Sequence, residues 1–173
     1  MTDTPLDPQQ LAEACTRAMF ARDNASQGLG MQIESVAPGR AVLTMRVRED
    51  MVQGHGNCHG GFIFTLADSA FAFACNSYDE ATVAAGCSID YLGPGKLGDV
   101  LTATAEERSR RGRTGIYDIT VRNQRGEEVA LFRGRSYKVR GSVRRLEETT
   151  ADPHPTNTPT TTTPTPPPTP PTP

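Results

Sequence analysis

Cys58-His59-Gly60-Gly61-Phe62-Ile63-Phe64-Thr65-Leu66-Ala67-Asp68-Ser69-Ala70-Phe71-Ala72-Phe73-Ala74-Cys75 is the stretch around which the rest of the chain organises itself. From Gly60 onward nearly every side chain is apolar, and Asp68 is the one charged residue before Asn76. The run is too long for a strand and too short to cross a membrane, so it predicts a buried helix over Gly60–Cys75. A helix that is apolar on all sides must be covered on most of them.

The flanks supply the cover. Asp7-Pro8 opens a helix in which Leu11, Ala14, Cys15, Ala18 and Met19 follow the 3.6-residue period, and residues 24–30 break it. Met31, Ile33 and Ser35, then Ala41, Leu43, Met45 and Val47, alternate with polar neighbours and predict two strands joined at Pro38-Gly39. Residues 49–61 form a Gly/His/polar connection. Strand-like runs follow at 82–92, 100–109, 114–123 and 128–139, separated by Gly93-Pro94-Gly95, Arg111-Gly112-Arg113 and Gln124-Arg125-Gly126. The economical packing is α+β: a curved antiparallel β-sheet wrapped around a long central α-helix.

The chain of 173 residues divides by composition. Residues 149–173 hold 11 Thr and 10 Pro, lack the apolar side chains that offset ordering entropy, and are expected to be a disordered Thr/Pro-rich tail. Residues 1–148 suit one domain with one core. Net charge is −2, but residues 1–93 carry 5 basic and 11 acidic side chains while residues 94–145 carry 13 basic and 6 acidic. Clustered Lys/Arg with interleaved aromatics are missing, so no nucleic-acid partner is expected, while a basic face for a small polyanion stays open. The 4 cysteines lack C-x-x-C spacing and are expected as reduced thiols. Met1 to Gln10 has neither a basic nor an apolar region of a signal peptide, so a cytoplasmic location and no membrane partner are expected.

Asp68 carries the first chemical signal. An unpaired carboxylate among apolar side chains costs several kcal/mol, so it is paired, protonated or functional. Desolvation would raise its pKa and make it a stronger base or nucleophile. The bland reading is that it lies on the helix's wet stripe or bonds a nearby backbone group. The second signal is the Gly60-Gly61 helix start, where unpaired N–H groups and a partial positive charge meet a backbone that a ligand oxygen can approach. An oxyanion hole needs those features, and a flexible turn is the bland alternative. Gly60 and Asp68 lie about 12 Å apart along a helix axis, too far for one carbonyl to touch both. Either they serve separate purposes, or a second copy brings its Asp68 opposite the first copy's Gly60.

Gln53-Gly54-His55-Gly56-Asn57-Cys58-His59-Gly60-Gly61, with Leu66-Ala67-Asp68-Ser69 after it, resembles the signature of hotdog-fold acyl-CoA thioesterases, nearest the phenylacetic-acid-degradation (PaaI) type. Ser88-Ile89-Asp90-Tyr91-Leu92, Gly93-Pro94-Gly95 and Gly98-Asp99 resemble that family's next strand and turn. Ala130-Leu131-Phe132-Arg133-Gly134 resembles its last strand. The likeness spans roughly Leu11 to Arg140.

The resemblance implies hydrolysis of phenylacetyl-CoA, or a ring-hydroxylated relative, to the free acid and coenzyme A. Gly60 N–H would bind the thioester oxygen, and the partner's Asp68 would serve as nucleophile or as general base on water. His59 would fix the thioester end and Ser88 would hold the water. The position six before the histidine, often Asn in this family, is Gln53 here, whose amide reaches one methylene further. Gly61 and Ser69 are candidates for substrate contact, although Ser69 has a local hydrogen bond as its alternative. Arg111, Arg113 and Arg135, together with Arg110 and Arg133, are candidates for the coenzyme A phosphates. No cofactor is implied beyond the coenzyme A of the substrate. The assembly implied is a homodimer with shared sites, commonly a dimer of dimers.

Other readings stand beside this one. A hotdog dehydratase or hydratase would use an acid/base pair on enoyl or hydroxyacyl thioesters, and a non-catalytic acyl-CoA-binding protein would only hold the ligand. His55, Cys58 and His59 invite a metal, but a ligand pair at that spacing belongs on a helix and the glycines oppose one there, so none is expected. A Cys58 thiolate paired with His59 would require adjacent side chains of an extended chain to point the same way.

Overall fold

The computed structural model describes residues 6–145. The expected tail, 149–173, lies outside the described residues. Helix α1 (Pro8–Phe20) starts at an Asp7 cap whose carboxylate accepts the Gln10 N–H, while the Gln10 side chain accepts the Asp7 N–H, with Pro8 in the first turn. Strands β1 (Gln32–Ala37) and β2 (Arg40–Arg46) form the expected hairpin through Pro38-Gly39. The expected break at 24–30 contains a short helix, α2 (Asn24–Gly28), which sequence reading missed. Its start is set locally by Asp23, whose carboxylate accepts the Ser26 N–H.

Helix α3 (Gly60–Cys75) has the predicted bounds. It is followed by β3 (Thr82–Tyr91), β4 (Val100–Arg111), β5 (Thr114–Arg122) and β6 (Glu128–Lys138). One six-stranded antiparallel sheet results, in the order β1-β2-β4-β5-β6-β3. Helix α3 touches all six strands, as a sheet curved around it must allow.

Alternation decides which face each residue takes. Leu43, Met45, Leu101, Ala103, Ala105, Tyr117, Ile119, Val121 and Phe132 are buried toward α3, whose Leu66, Ala67, Ala70, Phe71 and Ala74 meet them. The alanines on β2 and β4 let the helix approach closely. On β6 the same role falls to Gly134: a Cβ there would stand 2.8 Å from the Phe71 ring. Phe71 in turn lies 5.5 Å from the Tyr117 ring and 6.2 Å from Phe132, centroid to centroid. The opposite face of the sheet carries Arg40, Glu106, Asp118, Arg133 and Ser88 in one cross-strand row. Among the described residues no helix is long and apolar enough to cross a membrane.

Candidate active site

The start of α3 is pinned from outside the helix. Cys58 N–H donates to the Gly95 carbonyl at 2.7 Å, and His59 N–H donates to the Met51 carbonyl at 2.8 Å. His59 is then the cap: its Nδ1 accepts the Gly61 N–H at 3.0 Å. His59, expected to fix the thioester end, thus holds the helix start through Nδ1. Phe62 N–H returns to the His59 carbonyl at 3.0 Å. Gly60 N–H is left without an acceptor among the described residues. Of the two glycines read as an oxyanion site, Gly60 keeps an available donor and Gly61 does not.

Tyr91, at the end of β3, closes over this turn. Its hydroxyl donates to the Gly60 carbonyl at 2.9 Å, and its ring lies 3.0 Å from where a Gly60 Cβ would sit. A side chain at 60 would therefore press on the Tyr91 ring, which would have to give way.

Two turns further along α3, Asp68 is half-buried and forms no ion pair among the described residues. Its Oδ1 accepts a hydrogen bond from the Cys87 thiol at 3.8 Å. Burial raises its pKa above the ordinary aspartate value, and the Cys87 thiol pulls it part of the way back. The carboxyl is thereby a better base than a surface aspartate, as the sequence reading anticipated.

Several expected site residues lie elsewhere. Ser88 pairs with Arg133 across β3 and β6 and lines a groove of about 940 Å³ with Asp90, Thr104, Asp118 and Arg133 on the sheet face away from α3. Strand alternation that aims Cys87 at Asp68 aims Ser88 the other way, so Ser88 does not reach the acid of its own protomer. Ser69 Oγ lies 3.0 Å from the buried Ser26 Oγ. Ser26 spends its proton on the Asp23 carboxylate at 2.6 Å, so Ser69 is the donor and ties α3 to α2 instead of facing substrate. Gln53 accepts the His55 N–H with its side chain, and its backbone N–H donates to the Asn57 carbonyl, so it shapes its own loop.

The arginines separate by their partners. Arg133 is bidentate to Asp118 at 2.6 and 2.8 Å, and Arg110 pairs with Glu80 at 3.3 Å while stacking 3.7 Å over the Tyr78 ring. Arg111 and Arg113 stand at the β4–β5 turn, where Arg113 donates to the Tyr137 hydroxyl at 3.5 Å. Arg135 lies across the Gly86 backbone, 2.7 Å from where a Cβ would be. Arg111 and Arg135 make no ion pair among the described residues.

A Cys58 nucleophile is opposed by its setting: the thiol is buried, donates to the His59 carbonyl at 3.7 Å, and has its pKa pushed up to about 11. Cys87 and Tyr91 were missed as site residues. The signal was present, because Ile89 reads as a core position and alternation places residues 87 and 91 on its side.

A profile of the thioesterase superfamily matches residues 55–130. The Escherichia coli acyl-coenzyme A thioesterase PaaI is 50% identical over 126 residues, which is 73% of this chain and 90% of that protein. The chain belongs to the thioesterase superfamily. The structure of the E. coli PaaI protein superposes with a TM-score of 0.78 at 47% identity, covering 79% of this chain and 99% of that one. A Streptococcus mutans protein solved bound to acetyl-CoA matches with a TM-score of 0.62 at 31% identity, over 65% of this chain and 90% of that one. The sheet and helix are the hotdog fold of this superfamily, and the protein is a thioester hydrolase.

Proposed function

We propose that this protein hydrolyses phenylacetyl-CoA or a ring-hydroxylated phenylacetyl-CoA, in the cytoplasm, to the carboxylic acid and free coenzyme A. The observation that carries the proposal is the separation of Gly60 N–H, an available donor, from Asp68, an unpaired half-buried acid, by about 12 Å of one helix. A homodimer resolves it. The free edge of β3, with Val83 and Tyr91 about half exposed, is the natural seam for a second copy. One protomer's Gly60 N–H then polarises the thioester carbonyl, and the other's Asp68 works from the opposite side of the carbon.

Two routes share that geometry. Asp68 attacks the carbonyl carbon, expelling the thiolate to leave an acyl anhydride that water cleaves; or it takes a proton from water as the water attacks. The thiolate of coenzyme A leaves in both and is protonated from solvent. Among the described residues, the Cys87 thiol is the hydrogen-bond partner of Asp68 and no second carboxyl group is paired with it, which favours hydrolysis over dehydration. The aryl acyl group is supported by the likeness to PaaI. The unpaired Arg111 and Arg135 and the basic balance of residues 94–145 suit the phosphates of coenzyme A. On this reading no separate cofactor is used, and the dimers pair further into a dimer of dimers.

Free-thiol release over a panel of phenylacetyl-, hydroxyphenylacetyl-, hexanoyl-, palmitoyl- and crotonyl-CoA tests this. The aryl substrates should have the highest kcat/KM. A preference for the aliphatic chains would overturn the aryl assignment. Hydration of crotonyl-CoA without thiol release would overturn hydrolysis itself.

A further inference from the structure

Asp68 has one protein donor among the described residues, and it is the thiol of Cys87 on the neighbouring strand. The arrangement depends on sheet register. In β3 the pairing with β6 slips between Ala84 and Gly86, an irregularity that shifts by one residue which side chains face the helix. After the slip, Cys87 stands opposite Gly134, and Ile89 stands opposite Phe132, a core residue. Gly134 lacks a Cβ, so Phe71 lies flat against the sheet there. Cys87 is next in that row and meets α3 one turn before Phe71, at Asp68.

We propose that Cys87 is a positioning residue for hydrolysis: its thiol hydrogen holds Oδ1 of Asp68 and leaves Oδ2 turned to the thioester. The proposal rests on the acyl-CoA hydrolysis set out above. A half-buried carboxylate with no ion pair needs at least one donor to stay ordered in its charged form. Oδ2 receives no hydrogen bond from the described residues, so the two oxygens are already unequal before substrate arrives.

The electrostatics agree from both sides. Burial and the adjacent Asp68 charge push the Cys87 pKa up, against a smaller opposing effect of Arg135 on β6. The thiol therefore stays protonated as a donor and is a poor nucleophile. From α3 itself, Cys75 also feels Asp68, and its deep burial keeps it neutral. The hydrogen bond from Cys87 in turn lowers the Asp68 pKa against the desolvation that raises it.

The test compares wild type, Cys87→Ala and Cys87→Ser by kcat and KM for phenylacetyl-CoA across the acid limb of the pH profile. Cys87→Ala should lose about tenfold in kcat with KM nearly unchanged, and its acid limb should move to higher pH. Cys87→Ser, which keeps a donor, should recover the limb and most of the rate. An alanine variant whose kcat and acid limb superimpose on wild type would overturn the proposal. A second measurement does not use turnover: the S–H stretching band of Cys87 in the Raman spectrum, assigned by its loss in Cys87→Ala. Asp68→Asn weakens the acceptor and should shift that band to higher frequency, and an unchanged band would overturn the contact. Absent thiol release from every acyl-CoA in wild type would instead remove the functional reading, with the band position still judging the pair.

Discussion

The imidazole Nδ1 of His59 accepts the Gly61 N–H at 3.0 Å, and this contact separates the roles of two adjacent glycines. One N–H is consumed in starting the helix. The other, on Gly60, is left without an acceptor among the described residues, with the helix's positive end behind it.

Loss of that cap has a defined cost. His59→Ala should lower the free energy of unfolding by about 1 kcal/mol, and His59→Asn, a side chain that also caps helices, should restore most of it. Urea titration of the three proteins decides this. An unchanged midpoint in the alanine variant would show that the ring does not stabilise the helix start.

Asp68→Asn preserves shape and removes the carboxylate proposed to act on the thioester. Thiol release should fall by about a thousandfold or more while KM stays within about threefold of wild type. Turnover close to wild type would take Asp68 out of the reaction.

The same substitution should make the protein more stable near neutral pH. Burial raises the Asp68 pKa in the folded state, so its favourable contribution exists where the carboxyl is protonated and is lost as pH rises through the folded value. At neutral pH the charged form opposes folding, and asparagine removes that opposition. Thermal unfolding midpoints should show Asp68→Asn ahead of wild type at neutral pH. The gap should close on acidification below the ordinary aspartate pKa, and a gap that widens with acid would contradict the sign.

The proposed sharing of sites between protomers predicts complementation between two inactive variants. Gly60→Pro deletes the free N–H at a first-turn position where proline is tolerated, after a His59 already extended at ψ 132°. The exposed Tyr91 ring must move aside. Co-refolding Gly60→Pro with Asp68→Asn gives mixed dimers with one intact site each, so about a quarter of wild-type activity should return. If each protomer held a complete site, mixing would return nothing.

Packing between α3 and the sheet is tight at one point. Gly134→Ala drives a methyl group into the Phe71 ring, 2.8 Å away, and should cost about 1–3 kcal/mol. Because Phe71 lies on the turn after Asp68, kcat should fall as well. Denaturant midpoints within error of wild type would mean that the ring has room to withdraw.

Much of the fold was legible because the cues are local. The apolar run beginning at Gly60 and ending at Cys75, the period-two alternation of Ala41, Leu43 and Met45, and the Gly/Pro turns each report burial or backbone shape within a few residues. Helix α2 was illegible because its five residues have too little periodicity to see, and its cap is a single aspartate.

The amino-acid sequence by itself determined that one acid would stand in an apolar helix behind a glycine start. Those features follow from residue type and spacing along a single element. The tertiary structure alone decided what each polar group meets. Ser88 faces away and Cys87 faces Asp68 because β3 slips against β6 before them. Ser69 is drawn to Ser26, and His59 is turned back on Gly61. A hydrogen bond is satisfied by whichever partner the packing brings within about 3 Å, and chain spacing does not reveal which strand or helix that will be.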